Sequence, residues 1–172
     1  MLEIEVKCPV DDLDAIEGKL KAVGAEFEGT LAQSDLYLSH PCRDFGKTDE
    51  ALRLRTENGR SVLFYKGPKL DRTTKTREEL SSPVPEPGPL LLILERIGFR
   101  RVMAVEKVRR VYRLDGVEVS LDRVARLGGF VELEVQDLEL EKGREMLEAT
   151  MRRLGLERTE RSSYLELLLK KG

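Results

Sequence analysis

Two short runs place carboxylates two residues apart: Glu3-Ile4-Glu5-Val6-Lys7 and Val131-Glu132-Leu133-Glu134-Val135. Cations recur at the same spacing in Arg53 and Arg55, Lys75 and Arg77, and Lys107 and Arg109, with Lys66 and Asp122 in further extended runs. In a strand, a spacing of two puts each set on one side. Carboxylates on neighbouring strands repel unless a cation sits between them, and hard oxygen ligands suit Mg²⁺ or Mn²⁺. The Arg and Lys sets call for anions. A phosphate chain takes paired hydrogen bonds from Arg and point charges from Lys. Metal-holding acids facing a wall of cations describe a nucleotide or polyphosphate site.

The elements that must position these groups follow from periodicity and turn signals. Leu2 to Cys8 alternates as a strand. Asp11-Asp12 opens a helix carried by the stripe Leu13, Ile16, Leu20 and Val23, and Gly24 ends it. Ala25 to Ser39 reads as extended and His40 to Glu50 as a polar loop. Residues 51–56 and 61–66 flank Asn58-Gly59, a two-residue hairpin turn. A Thr-rich strand spans about Arg72 to Leu80. Ser81 to Pro89, with four prolines and a glycine, reads as a connector. A helix follows over about Leu90 to Ile97. Phe99 to Leu114 and Val117 to Arg126 flank a second hairpin turn at Asp115-Gly116, and Gly128-Gly129 predicts a third before the strand Phe130 to Leu138. A helix runs from about Glu141 to Leu154, ending at Gly155, and Ser162 to Lys170 reads as an amphipathic tail helix.

Each Glu-x-Glu strand is followed by a helix ending in Gly24 or Gly155, and each part holds a hairpin. This weak repeat reads residues 1–172 as a single domain of two pseudo-repeated halves joined near 81–89. Two halves of about four strands each would close into one antiparallel barrel. If the apolar strand faces pack under helices outside, the charged faces point inward, and a barrel of about eight strands then holds one small ligand. Alternating charges also arise as cross-strand ion pairs on an exposed sheet. Here like charges repeat within single strands, which favours the interior arrangement.

The chain has 172 residues, 36% of them charged, yet a net charge of only −2, from 30 Lys and Arg against 32 Asp and Glu. No basic surplus suggests nucleic acid as a partner. No apolar run reaches the length of a membrane span, and no secretory signal precedes the charged motif. Cys8 and Cys42 have no metal-type spacing and read as reduced thiols, so the expected location is the cytoplasm. His40, the only histidine, falls in a loop and reads as a surface residue, which leaves no Ser-His or Cys-His triad to argue. Tyr164 reads as helix packing.

Glu3-x-Glu5-x-Lys7 resembles the signature of the CYTH superfamily, the triphosphate tunnel metalloenzymes. Leu52-Arg53-Leu54-Arg55, Tyr65-Lys66-Gly67-Pro68, Lys107-Val108-Arg109-Arg110, Ser120-Leu121-Asp122 and Glu132-Leu133-Glu134 follow in the family's order. Gln33-Ser34-Asp35-Leu36-Tyr37, His40-Pro41 and the tail residues Ser163-Tyr164 and Leu167-Leu168 look most like the class IV adenylyl cyclase branch. The resemblance implies an α+β fold, a closed eight-stranded antiparallel tunnel with flanking helices. It implies that Glu3, Glu5, Asp122, Glu132 and Glu134 hold or orient Mg²⁺ or Mn²⁺. It also implies that Lys7, Arg53, Arg55, Lys66, Lys75, Arg77, Lys107 and Arg109 hold a nucleoside or inorganic triphosphate, with Glu5, Lys7 and Asp122 closest to the chemistry. The register of Glu78 and Glu79 stays open. The reaction expected first is conversion of ATP to cyclic AMP and pyrophosphate. Hydrolysis of inorganic or thiamine triphosphate is the alternative, and a non-catalytic triphosphate-binding module is a third. A second copy of the chain is a candidate partner through the apolar tail.

Overall fold

The computed structural model describes residues 2–172. Within these residues, eight strands and five helices follow one another in the order β1 (Leu2–Val10), α1 (Leu13–Ala22), β2 (Glu26–Ser39), α2 (Phe45–Thr48), β3 (Ala51–Glu57), β4 (Arg60–Lys66), β5 (Arg77–Val84), α3 (Pro87–Arg96), β6 (Arg100–Leu114), β7 (Val117–Val124), β8 (Gly128–Gln136), α4 (Leu140–Leu154) and α5 (Tyr164–Lys171). The strands form a closed barrel in the order β1-β5-β4-β3-β2-β6-β7-β8, with every neighbouring pair antiparallel. Closure comes from β1 against β8, which sets Glu5 opposite Glu134 and Lys7 opposite Glu132. The two Glu-x-Glu runs are therefore neighbours on one wall.

Local chemistry accounts for the joints. Asn58-Gly59 and Asp115-Gly116 all have positive φ (50°, 74°, 49° and 82°). That is the two-residue turn whose twist matches antiparallel strands. The Asp12 side chain accepts from the Ala15 N–H at the start of α1. Ser163 and Glu166 form a reciprocal capping box that starts α5.

The two faces of the barrel wall differ as the alternation requires. Ile4, Val6 and Cys8 of β1 pack outward with Leu133, Val131, Leu121 and Val119 against Leu13, Ile16 and Leu20 of α1 and Leu147 and Leu154 of α4. Their alternates Glu3, Glu5 and Lys7 are also buried, but on the inner side. A second cluster gathers Tyr37, Val105, Val124 and Phe130 with Tyr164 and Leu168 of α5. By strand parity these four belong to the inner face, so one end of the barrel is apolar and α5 closes it. Leu165 and Leu167 of the same helix stay half-buried and Leu169 is exposed.

Five expectations are corrected. The strand predicted over Arg72 to Leu80 begins only at Arg77, because one Asp71 oxygen accepts from the backbone and hydroxyl groups of both Thr73 and Thr74 and holds a loop. The predicted connector at 81–89 is instead the end of β5 and the start of α3. Pro83 is tolerated in this strand because β1 pairs with β5 only at Arg77 and Glu78, which leaves the far side of residue 83 without a ladder partner. The strands divide five before α3 and three after it, not four and four. Gly128 and Gly129 already lie in β8, and the turn before them bends at Arg126 with φ 70°. The loop at 40–50 also contains the short helix α2, capped by Asp44.

Gly143 lets α4 lie directly on the β1–β8 seam. A Cβ there would stand 2.4 Å from Ile4 Cδ1 and 3.2 Å from Val135 Cγ2. Gly143→Val should lift the helix off the seam and cost about 1–3 kcal/mol, measured as a lower urea midpoint with an unchanged slope. An unchanged midpoint would mean that the helix does not bear on those strands.

Candidate functional site: a charged tunnel

The inner faces enclose a cavity of about 230 Å³. All eight cations named from the sequence line it, together with Glu3, Glu5, Glu79, Glu118, Glu132 and Glu134. Lys75 reaches it from the loop ahead of β5: its backbone N–H donates to Glu5 O at 2.8 Å and its Nζ to Glu5 Oε1 at 3.0 Å. Arg77 stands at the tunnel's edge, 3.8 Å from Asp49.

Three carboxylates converge on one wall. Glu3, Glu5 and Glu134 each offer an oxygen within 4.8 Å of the others. Lys66 bridges part of this group, with Nζ 2.9 Å from Glu3 Oε1, 2.8 Å from Glu3 Oε2, 3.8 Å from Glu5 and 3.1 Å from Glu79. Only the Oε1 contact has hydrogen-bonding geometry, so Glu3 Oε2 is a buried acceptor without a hydrogen bond. Burial pushes the Glu3 carboxyl well above its ordinary range, aided by Glu5 and Glu134 and opposed by Lys66. Burial and Glu5 also raise Glu134. Burial opposes ionisation of Glu5 too, but Lys75, Lys66 and Lys7 outweigh it and hold that carboxyl well below the usual range. Three acids so close resist carrying three charges together. A divalent cation fits this donor set: the ligands are hard oxygens, and its charge relieves the repulsion.

The opposite wall carries guanidinium groups, each backed by an acid. Arg55 donates to Asp35 at 2.7 and 2.9 Å, and Arg53 Nη1 reaches the same carboxylate at 3.4 Å. Phe64 lies beneath both guanidinium groups, at 5.1 and 5.5 Å. Arg109 grips Asp122 through two bonds of 2.7 and 2.6 Å and also touches Glu132. The Tyr164 hydroxyl donates to Asp122 at 2.7 Å. Its ring lies under the ammonium groups of Lys7 at 4.1 Å and Lys107 at 5.0 Å. Burial first, then Arg109, brings Lys107 down to about 8. Burial opposes charge on Asp122, but Arg109 and Lys107 overcome it and keep the carboxyl far below its usual range.

The tunnel thus gathers every predicted cation but sorts the predicted acids. Glu3, Glu5 and Glu134 form the tight group. Glu132 faces Arg109, and Asp122, fully buried, stands behind Arg109 with its oxygens taken. Glu79 faces the interior and Glu78 does not. Asp35 was missed as a site residue, although it shares parity with Gln33 and Tyr37 and pairs across the ladder with Arg55. Tyr164, expected as packing alone, also builds the tunnel; no periodicity in the sequence could link α5 to the barrel interior.

The chain as a whole has relatives among known proteins. The CYTH domain profile matches residues 1–164, and the chain belongs to that family. A provisionally named adenylate cyclase of Methanocaldococcus jannaschii is 36% identical over 172 residues, covering 97% of this chain and 98% of the relative. Adenylate cyclase CyaB of Aeromonas hydrophila is 28% identical over 161 residues, covering 90% of this chain and 81% of the relative. The solved structure of the Pyrococcus horikoshii PH1819 protein superposes with a TM-score of 0.90 at 42% identity, covering 99% of both chains. No helix among the described residues is long and apolar enough to cross a membrane.

Among the described residues, Asp35 is the acid that pairs with both half-buried guanidinium groups, Arg53 and Arg55. Asp35→Asn should cost about 3–5 kcal/mol in chemical denaturation, because it leaves those charges unmatched. The carboxyl is held low in the folded state. Its stabilisation is therefore complete above the unfolded value of about 4 and is lost as pH falls through the folded one. The variant should lack that part of the wild-type acid dependence. A variant as stable as wild type would mean that the guanidinium groups do not depend on Asp35.

Proposed function

We propose that the chain is a metal-dependent enzyme acting on a triphosphate, and that its reaction is the class IV-type adenylyl cyclase reaction, ATP to cyclic AMP and pyrophosphate. The observation that carries this reading is the opposition, inside one closed barrel, of a three-carboxylate group and a wall of buried Arg and Lys. A binder of anions alone gains nothing from converging carboxylates. The names of the two sequence relatives support the choice of cyclisation.

In this reading Glu3, Glu5 and Glu134 hold Mg²⁺ or Mn²⁺, which when bound neutralises charge on the phosphate oxygens. Arg53, Arg55, Lys66, Lys75, Lys107 and Arg109 bind the triphosphate, and Arg77 guards its outer end. Asp35 and Asp122 act as positioning residues, holding Arg55 and Arg109 in the planar orientation that suits paired phosphate contacts. Lys7, between the carboxylate group and the Tyr164 ring, is assigned to the phosphate under attack. The ribose 3′ oxygen bonds to the α-phosphorus as the bond to the β-phosphate oxygen breaks, and the hydroxyl proton is released. Charge placement and exclusion of water carry most of such a reaction.

The deciding experiment incubates pure protein and Mg²⁺ or Mn²⁺ with ATP, inorganic triphosphate or thiamine triphosphate. Cyclic AMP with equimolar pyrophosphate supports the cyclase. Orthophosphate without cyclic AMP replaces it with a hydrolase, and no turnover of any substrate leaves a binding module. Glu5→Gln should abolish metal-dependent turnover and weaken metal binding measured by calorimetry, while the far-ultraviolet spectrum stays unchanged; full activity in that variant would sink the metal assignment. Arg55→Ala should weaken triphosphate binding by about 2–5 kcal/mol, and unchanged affinity would place the ligand elsewhere.

A further inference from the structure

The tunnel has a second mouth. A cavity of about 270 Å³ opens among β2, β3, β6 and β7, where Glu28, Leu31 and Gln33 line it. Arg55, Arg109 and Glu118 line both this cavity and the tunnel, so the two spaces are continuous. Ala51 and Arg77 stand at the tunnel's other opening.

Two independent observations give this mouth a preference for cations. The first is a row of carboxylates across three neighbouring strands. Glu118 of β7 lies opposite Glu134 of β8, and Glu134 lies opposite Glu5 of β1. Like charges directly opposite one another weaken a sheet, so the row does not serve the stability of the barrel. It leads from Glu118, whose side chain is 30% exposed, to the group formed by Glu3, Glu5 and Glu134. Behind burial and Glu5, Glu118 adds to the repulsion that raises the Glu134 carboxyl.

The second observation is Gln33. It is only 4% exposed, it lines the cavity, and its Oε1 has no hydrogen-bond partner among the described residues. Its Nε2 donates to Glu57 Oε2 at 2.6 Å, which fixes the amide and leaves the oxygen as the free end. A buried amide oxygen only accepts, and a hard cation or the water it carries completes it. At the lip, Arg113 donates to Glu28 at 3.2 and 3.4 Å and to Glu118 at 3.2 Å, with its side chain 41% exposed. Ion pairs so exposed are weakly held. A divalent cation competes for the same two carboxylates, whereas an approaching anion meets them first and is repelled.

We propose that this second mouth is the route by which the divalent cation enters and leaves, passing between Glu28 and Glu118 and along the row Glu118, Glu134, Glu5. The inference rests on the reading of Glu3, Glu5 and Glu134 as the metal site. It gives metal and triphosphate separate openings, so that neither must leave for the other to load.

The test mixes Mn²⁺ with the protein in a stopped-flow cell and follows the paramagnetic resonance signal of free Mn²⁺. A chelator chase gives the release rate and calorimetry the affinity. Leu31→Trp plugs the second mouth without a change of charge, and Ala51→Trp plugs the other. A plug alters the barrier and not the end states, so Leu31→Trp should slow entry and release alike by about tenfold and leave the affinity as in wild type. Ala51→Trp should leave both rates unchanged. Glu118→Gln should slow entry by roughly fivefold at low salt, with the difference narrowing as added salt screens the lip. Circular dichroism checks each fold, and if Leu31→Trp does not fold, the entry rate of Glu118→Gln decides. Wild-type rates in both Leu31→Trp and Glu118→Gln overturn the inference. So does a slowing by Ala51→Trp that equals that of Leu31→Trp, or a loss of affinity in Leu31→Trp with entry unchanged. If wild type binds no Mn²⁺, the reading of the three acids itself fails and the inference falls with it.

Discussion

Everything inside the barrel depends on mutual compensation among buried charges. A lone carboxylate or ammonium group moved from water into the barrel would incur a penalty of several kcal/mol, and burial alone drives such groups towards their neutral forms. Here the strands carry like charges in sequence, and the closed fold sets unlike charges against one another: Asp35 between Arg53 and Arg55 and Asp122 against Arg109 across the ladder, Glu5 against Lys75 from a loop, and Glu3 against Lys66 across the interior. Compensation is incomplete at two places: one Asp35 carboxylate serves both Arg53 and Arg55, with Arg53 Nε left without a hydrogen bond, and Glu3, Glu5 and Glu134 crowd together.

The outer shell makes that interior affordable. α1 and α4 cover one half of the barrel with a continuous apolar layer, and the approach of α4 at Gly143 ties it to the strands that bear the acids. Rigid placement matters because a charge pair loses its benefit within a small displacement, whereas the cost of desolvation persists. Phe64 and Tyr164 add a softer support, offering ring faces to Arg53, Arg55, Lys7 and Lys107.

Much of this was legible in the sequence, and the limits have physical causes. Period-two spacing of charges revealed the inner face, since a strand has only two sides and Glu3, Glu5 and Lys7 must share one. The Asn-Gly and Asp-Gly turns fixed two hairpins because few other dipeptides adopt their dihedral angles. The Thr-rich segment 72–76 misled because β propensity gave way to one Asp71 carboxylate bonding four groups. Asp122 carried the type and parity of a metal ligand, but its partners are set by three-dimensional neighbours, and Arg109 and Tyr164 claimed it. Tyr164 itself lay beyond pattern reasoning: a helix that docks into the end of a barrel leaves no periodic trace of what it faces.

The seam between β1 and β8 is both where the barrel closes and where Glu5 meets Glu134. These strands are far apart in sequence, and contacts of that kind form late, after the loop entropy between them has been overcome. The hairpins β3–β4 and β6–β7 need no such wait. Glu3 and Glu5 therefore meet Glu134 only once the two ends of the barrel have been joined.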